Sequence, residues 1–523
     1  MSKMLKSSGA MAAATLLSRV LGMVREMVYA NFMGTTAVAD AFTLAFKIPN
    51  LFRRLLGEGA LTAAFIPIFK DKEKNAGAAE MWRSVNAVIS GLLVAGSAVC
   101  AAAMIGITIA LPFLRGHVEP STDLMLQLLR IMFPYLLLVC FAAIFIGILN
   151  ARGHFFIPAL GAVALNLVMI AVVWLLVPHF GEDLPHQVFA LAWGVLIAGA
   201  VQMAFQLPTL IKEGFKPVWI SPWNDPTVRE VVQKMIPGTI GVASFQLNVL
   251  MTDLLAKSTG DGLVAAFNTA VRLMELPQGV FGISLATYLL PTLSGLAAEK
   301  KFPEFRKTVA EGVNHLVFVN LLATVFLVLL AEPIVRLLFE RGRFDAASTD
   351  MAYTALAALA PGLIAFSLVN ILARAFYALG DTRTPMRIAI FCLVVNLVLT
   401  AGLIIPLRQV GMGLANSVSA LLNVALLSYA LKKKLGRLEW AEVRRPLPGM
   451  ATAGAAAGLV AWALLLFCEG SFGTAGLWPR LAAVFIPMTV ATAVYFGIAT
   501  ALHVPAAKEV VALARGRFRR KKA

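Results

Sequence analysis

The sequence predicts an all-α polytopic membrane protein with 14 transmembrane helices. Three observations carry that reading: an apolar composition, apolar runs of membrane-crossing length, and a lopsided placement of basic residues. Hydrophobic residues make up 59% of the 523 and charged ones 14%, with a mean hydropathy of +0.81, far above the balance of a soluble domain. Runs of about 20 apolar residues recur between short polar loops, each matching a helix that crosses roughly 30 Å of hydrocarbon. With the N-terminus placed in the cytoplasm and span-end residues assigned to the adjoining loop, cytoplasmic segments take 30 of the 45 Lys and Arg, and outward loops take six. The positive-inside rule then puts both termini in the cytoplasm and requires an even number of spans.

Taken in order, the first span, 8–33, begins like a signal peptide with Lys3, Lys6 and a short apolar run. That run meets Arg19 after about ten residues and continues as helix, so it reads as an uncleaved span. The second, 37–69, is longer than a straight crossing needs, and Pro49, Gly57 and Gly59 offer places to bend. Spans 84–113, 124–150, 157–178 and 187–211 complete a first group of six. A second group runs 236–257, 264–295, 314–338, 352–379, 386–406 and 411–431, and two further spans, 447–468 and 480–502, precede a basic tail. The net charge of +17 follows from this topology rather than from a nucleic-acid surface; the tail RGRFRRKKA suits anionic headgroups, at roughly 1 kcal/mol per charge. Cys100, Cys140, Cys392 and Cys468 lie in apolar helices without a CxxC pair, which points to packing rather than to disulfides or zinc.

The chain also resembles itself. FPYLLLVCFAAIFIGILNARGHFFIP (133–158) and APGLIAFSLVNILARAFYALGDTRTP (360–385) each hold two prolines 24 residues apart, at an offset of 227. ADAFTLAFKIPNLFRRLLGEGALTAAFIP (39–67) and VAAFNTAVRLMELPQGVFGISLATYLLP (264–291) repeat a phenylalanine, a basic residue and two prolines at offsets of 224 to 228. The expected organisation is therefore a duplicated six-helix unit: an N-terminal lobe over 1–220, a C-terminal lobe over 221–435, two added helices over 436–505 and the tail over 506–523. Six is even, so the two halves share one orientation, as in parallel-repeat transporters.

Nine basic residues remain inside the spans: Arg19, Arg25, Lys47, Arg53, Arg54, Arg130, Arg272, Arg336 and Arg374. An unpaired arginine facing hydrocarbon costs at least about 2.5 kcal/mol, so such residues face a partner or a wet cavity. Arg19 and Arg25 flank Gly22 by three residues on either side, about 120° apart, with Ser18 near the Arg25 face. In the second span Asp40, Lys47 and Arg54 recur every seven residues and Glu58 follows by four, a polar stripe whose members can largely pair among themselves. Arg53 points away from it. In the eighth span Arg272 and Glu275 share a face, and Arg272 holds the place that Lys47 holds in the first half. Arg130, Arg336 and Arg374, nearer helix ends, read as snorkelling or helix-fixing residues, Asn166 and Asn396 as interhelical hydrogen-bond donors, and Asp253 as structural ahead of a cation or proton site. Converging arginines suit an anion such as a pyrophosphate, because each guanidinium is always charged and grips two oxygens at once.

SRVLGMVRE, ADAFTLAFKIPNLFRRLLGEGALTAAFIP, VRLMELPQGVFG and RAFYALGDTRTP together resemble the MurJ (MviN) family of lipid II flippases, within the multidrug/oligosaccharidyl-lipid/polysaccharide (MOP) exporter superfamily. The resemblance runs from about residue 5 to 430 and more loosely through the last two helices. It implies two six-helix lobes in a V, a cationic cavity that opens alternately to each face, and a C-terminal groove for a polyprenyl tail. Its cavity arginines fall on Arg19, Arg25, Arg53 and Arg272, with Asp40 and Glu58 as functional acidic positions. From the residue patterns above, Ser18, Gly22, Glu26, Lys47, Arg54 and Glu275 are expected in supporting or gating places. Glu26 stands where many members have aspartate. Val271 stands where an aspartate often precedes the arginine, which leaves Glu275 as the substitute counter-ion.

The function so implied is non-enzymatic: lipid II, the undecaprenyl-pyrophosphate disaccharide-pentapeptide, is flipped from the inner to the outer leaflet of the bacterial cytoplasmic (inner) membrane for cell-wall synthesis. No cofactor or metal is expected, coupling to membrane potential or to a cation stays open, and the partners are lipid II and membrane lipids. A monomer is expected, with association with the cell-wall machinery an open alternative. Two rivals stand beside this reading. An exporter of another polyprenyl-linked glycan or of a drug shares the superfamily, although drug exchange needs a membrane carboxylate and the central charge here is positive. A membrane enzyme acting on polyprenyl phosphates would need catalytic residues in substantial outer loops, and those around His117, His179 and His186 are short, with no paired carboxylates, metal motif or P-loop.

Overall fold

The structure, a computed structural model, describes residues 3–52 and 61–509. Among the described residues every regular element is helical, apart from one isolated bridge between Arg341 and Phe344. The chain divides into two compact units, Met1–Lys257 and Ser258–Ala523.

The first unit comprises α1 (Lys3–Met33), α2 (Ala37–Phe52), α3 (Thr62–Asn75), α4 (Gly77–Leu114), α5 (Pro120–Met132), α6 (Tyr135–Ala151), α7 (Phe156–Leu175), α8 (Leu184–Ala204), α9 (Leu207–Lys212) and α10 (Pro226–Lys257). Helix α1 packs on α7, α7 on α8, α2 on α5, and α10 against α2, α3 and α4. Small residues set the close approaches: a Cβ on Gly199 of α8 would come within 2.7 Å of the Tyr135 ring, so only glycine lets that ring wedge between α6 and α8. At one end of the unit Phe65, Phe69, Val85, Ile148 and Phe215 form an apolar core. Polar bonds close over the same end. Arg152 pairs with Glu73 and, at 2.8 Å, with Glu213, while His154 meets Glu213 at 2.7 Å. Lys70 and Arg152 together hold the Glu73 carboxyl below its ordinary range, and His154 and Arg152 do the same for Glu213.

The second unit comprises α11 (Leu263–Pro277), a π-helical turn (Gln278–Ile283), α12 (Ser284–Ala298), α13 (Phe302–Leu329), α14 (Ala331–Phe339), α15 (Ala346–Leu359), α16 (Gly362–Ala378), α17 (Arg383–Leu435), α18 (Trp440–Arg444), α19 (Leu447–Phe472) and α20 (Leu477–Ala501). The expected eighth span is thus not one regular helix. Pro277 has no N–H to give and its ring crowds the preceding turn, and the chain passes it through a wider π turn before α12. Helix α17 is two helices meeting at Arg408 (φ 48°, ψ −126°). A Cβ on Gly411 would collide there with the Leu403 carbonyl, so the fold-back needs glycine. Helices α19 and α20 pack on each other and on α13. Ala453, Ala457 and Ala461 bury one face of α19 at four-residue spacing, and the buried Tyr495 hydroxyl donates to the Phe318 carbonyl at 2.7 Å.

The self-resemblance of the sequence has geometric counterparts. Helices α5 and α6 bend by 46° around Pro134, and α15 and α16 bend by 48° around Pro361. Residues 227 apart also end the second member of each pair alike: His154 N–H donates to Leu149 O at 2.8 Å and Asp381 N–H to Phe376 O at 2.9 Å. Gly153 (φ +88°) and Gly380 (φ +73°) supply the left-handed residue that such a cap requires. Asn86 of α4 donates through Nδ2 to Lys216 O at 2.9 Å, and Asn314 of α13 donates through Nδ2 to Glu442 O at 3.0 Å. In each unit one asparagine therefore ties the chain leaving the sixth helix of its repeat back to the third.

Among the described residues seven helices are long and apolar enough to cross a membrane, or nine spans result if each bent pair counts as one. Helices α2 and α11, at 16 and 15 residues, are shorter than a straight crossing needs.

Candidate functional site

Helix α1 runs without a break through Ser18, Arg19, Gly22, Arg25 and Glu26. The Ser18 carbonyl accepts a hydrogen bond from Asn166 Nδ2 of α7 at 3.0 Å, an interhelical bond of the kind expected for that asparagine. Gly22 faces the same residue: a Cβ there would sit 3.7 Å from Asn166 Nδ2. The glycine therefore lies at the α1–α7 contact. Arg19 is exposed. Arg25, with only 13% of its side chain accessible, pairs with Glu26 at 2.5 Å and lies 5.6 Å from the centre of the Tyr29 ring. Its Nε is buried without a hydrogen-bond partner among the described residues.

In α2, Asp40 is buried and its N–H bonds to Thr36 O at 3.1 Å. Lys47 of the expected stripe pairs with Asp253 of α10, which is 3% accessible against 25% for Lys47; α10 packs directly on α2. Arg53, Arg54 and Glu58 lie outside the described residues. In the second unit Arg272 Nη1 meets Glu275 at 2.8 Å, both side chains about half accessible, which is the local counter-ion expected of Glu275.

The structure thus brings together Arg25 with Glu26, Lys47 with Asp253, and Arg272 with Glu275. Asp253 as the partner of Lys47 had a signal in the sequence: it lies 227 residues after Glu26, as Arg272 lies 225 after Lys47, so both ends of the pair have repeat counterparts. Arg336 fixes helix contacts, engaging Glu332, Glu340 at 3.4 Å and Glu469 of α19 at 4.0 Å. Arg480 of α20 joins it through Glu340 at 2.7 Å. Among the described residues no group of three or more His, Cys, Asp or Glu could hold a metal ion. What the membrane charges can do is receive an anion: Arg25 and Arg272 each meet an adjacent carboxylate, and a guanidinium has N–H donors to spare.

Comparison with known proteins bears on which anion. The family model described as lipid II flippase MurJ matches residues 29–482. The chain belongs to that family. It is 37% identical over 439 residues to a probable lipid II flippase MurJ of Vibrio cholerae, covering 81% of this chain and 82% of the relative. It is 33% identical over 500 residues to the lipid II flippase MurJ of Burkholderia cenocepacia, covering 92% and 94%. Among solved structures it is similar to a lipid II flippase MurJ in an inward closed conformation, with TM-score 0.75 and 20% identity over 93% of this chain and 98% of that one. It is also similar to an inward-facing multidrug resistance MATE transporter of the MOP superfamily, with TM-score 0.65 and 15% identity over 82% and 98%. The chain therefore has the all-α multi-pass membrane fold of these transporters. The family match takes in Asp40, Lys47, Asp253 and Arg272 and begins four residues after Arg25.

Proposed function

We propose that this protein flips lipid II from the inner to the outer leaflet of the bacterial cytoplasmic membrane by alternating access. Its fourteen spans form two six-helix lobes and two further helices, with both termini in the cytoplasm. The observation that carries the reading is the family match over residues 29–482. The charges supply a mechanism.

Stripping a pyrophosphate of water costs tens of kcal/mol unless protein groups replace the solvent. Arg19, Arg25, Arg53 and Arg272 are the residues proposed to do so. Glu26 and Glu275 neutralise two of them at 2.5 and 2.8 Å, so these two arginines are not left as bare charges in the membrane. An arriving pyrophosphate exchanges with these carboxylates and binds bidentately. Because the exchange frees two acidic groups and brings new phosphate contacts, loaded and empty carriers favour different conformations, the differential affinity that alternating access requires. Membrane potential acting on the net positive site, at about 2.3 kcal/mol per charge per 100 mV, returns the empty carrier.

The test is transport in proteoliposomes, comparing lipid II with other polyprenyl-linked glycans. Arg25→Ala and Arg272→Ala are each expected to abolish lipid II translocation while expression and insertion stay normal. Translocation retained in both overturns the arginine role, and preference for a different glycan favours another exporter of the superfamily.

A further inference from the structure

Arg25 stands at the head of a file of aromatic rings. Tyr29, one helical turn on, lies beneath its guanidinium at 5.6 Å. The Tyr29 ring meets Phe42 of α2 edge-on at 5.8 Å and 87°. Phe42 stacks on Phe46 at 6.2 Å and 7°, and Phe46 tilts against Tyr135 at 5.9 Å. Tyr135 is the first residue of α6, directly after Pro134 at the 46° bend. Its ring is buried and wedged against Gly199 of α8. The file joins α1, α2, α6 and α8, all within the first unit.

Glu26 and Tyr29 hold Arg25 differently. Glu26 engages Nη2 directly at 2.5 Å, so it competes with a phosphate for the same N–H groups. An aromatic face attracts the cation through its quadrupole and takes no N–H donor, which leaves the planar fork available for two phosphate oxygens. Nε of Arg25, buried without a partner among the described residues, is one donor so reserved. The ring itself is held by its edge contact with Phe42, so the guanidinium keeps its place when Glu26 lets go.

We propose that Tyr29 is a positioning residue for Arg25, holding the guanidinium by its ring face while the pyrophosphate displaces Glu26, with the aromatic file tying that placement to the bend at Pro134. The proposal rests on the reading that Arg25 binds the lipid pyrophosphate. It assigns the work to the aromatic face and none to the hydroxyl. Tyr29→Phe keeps the face and Tyr29→Leu removes it while keeping apolar bulk.

Lipid II translocation in proteoliposomes, followed against lipid II content, gives the half-saturating concentration and the maximal rate separately. Tyr29→Phe is expected to match the parent within about twofold on both. Tyr29→Leu is expected to raise the half-saturating concentration about tenfold, equivalent to about 1.4 kcal/mol for a desolvated cation–π contact, with a maximal rate within about twofold. Tyr29→Trp adds a readout that packing alone does not move: its emission, taken as a difference from the parent, shifts when lipid II is added, and the shift is absent when Arg25→Ala is combined with it. Leucine and phenylalanine variants that behave alike, whether both intact or both impaired, overturn the proposal, as does an emission shift that survives loss of Arg25. A parent protein that does not translocate lipid II at all strikes instead at the lipid II reading.

Discussion

Breaking the Lys47–Asp253 pair from its two ends should have unequal costs. Asp253 is 3% accessible and Lys47 25%, so Lys47→Met strands a carboxylate with almost no access to solvent. Removing one member of such a buried pair costs about 3–5 kcal/mol, because the remaining charge loses its compensation. Asp253→Asn is milder: the amide oxygen still accepts from the ammonium, and a quarter-accessible lysine can turn its head towards water, which puts the expected cost at about 1–2 kcal/mol. With both changes together no charge is stranded, so the double variant should be more stable than Lys47→Met alone, with a coupling of about 2 kcal/mol. The assay is unfolding in mixed micelles titrated with denaturing detergent, followed by tryptophan fluorescence for all four proteins. A Lys47→Met variant no weaker than Asp253→Asn, or strictly additive effects, would refute the pairing argument.

Two further predictions use the bonds shared by the repeats. Among the described residues Asn86 makes two bonds, its Nδ2 donating to Lys216 O at 2.9 Å and its Oδ1 accepting from Val218 N–H at 3.1 Å, whereas Asn314 donates one, to Glu442 O. At about 1 kcal/mol for each bond, Asn86→Ala should be the more destabilising in the same assay by roughly that amount, and equal losses would count against the assignment. Asp381 is held well below the ordinary carboxylate range by Lys434 at 2.7 Å and by the Thr384 N–H. A depressed carboxyl contributes stability above its unfolded value, about 3.9, and loses it as pH falls towards the folded one. Asp381→Asn should therefore weaken the protein at pH 7, and its difference from the parent should narrow below about pH 4. A gap that widens in acid would reverse the sign of the argument.

What the sequence disclosed is what the backbone itself dictates. Pro134 and Pro361 lack the N–H that a continuing helix uses, so the duplicated break was legible as prolines at an offset of 227, with Gly153 and Gly380 closing the matching ends. Arg272 with Glu275 was legible because three residues place two side chains on one helix face. Lys47 was harder: spacing along α2 gives its neighbours on α2, and its partner lies on α10. Only the repeat, mapping Lys47 to Arg272 and Glu26 to Asp253, marked both ends of that pair. Tyr29 was in plain view four residues after Arg25, but an aromatic in an apolar helix gives no sign of what lies over its face. That needs the ring orientation Phe42 imposes. The π turn after Pro277 was hidden for a similar reason, since a proline announces a disturbance without saying whether the chain kinks or widens.

The clasp that joins Arg152 and His154 to Glu213, and the one that joins Asp381 to Lys434, bear on how the protein is made. Each links the turn after the fourth helix of a repeat to the end of the sixth, with the signs of charge exchanged between copies. Domains fold in order as the chain emerges, and every residue of the first clasp, including Glu73, has left the ribosome before Asp381 is translated. The first half can therefore be closed by its own charges while Asp381 and Lys434 do not yet exist to compete for them.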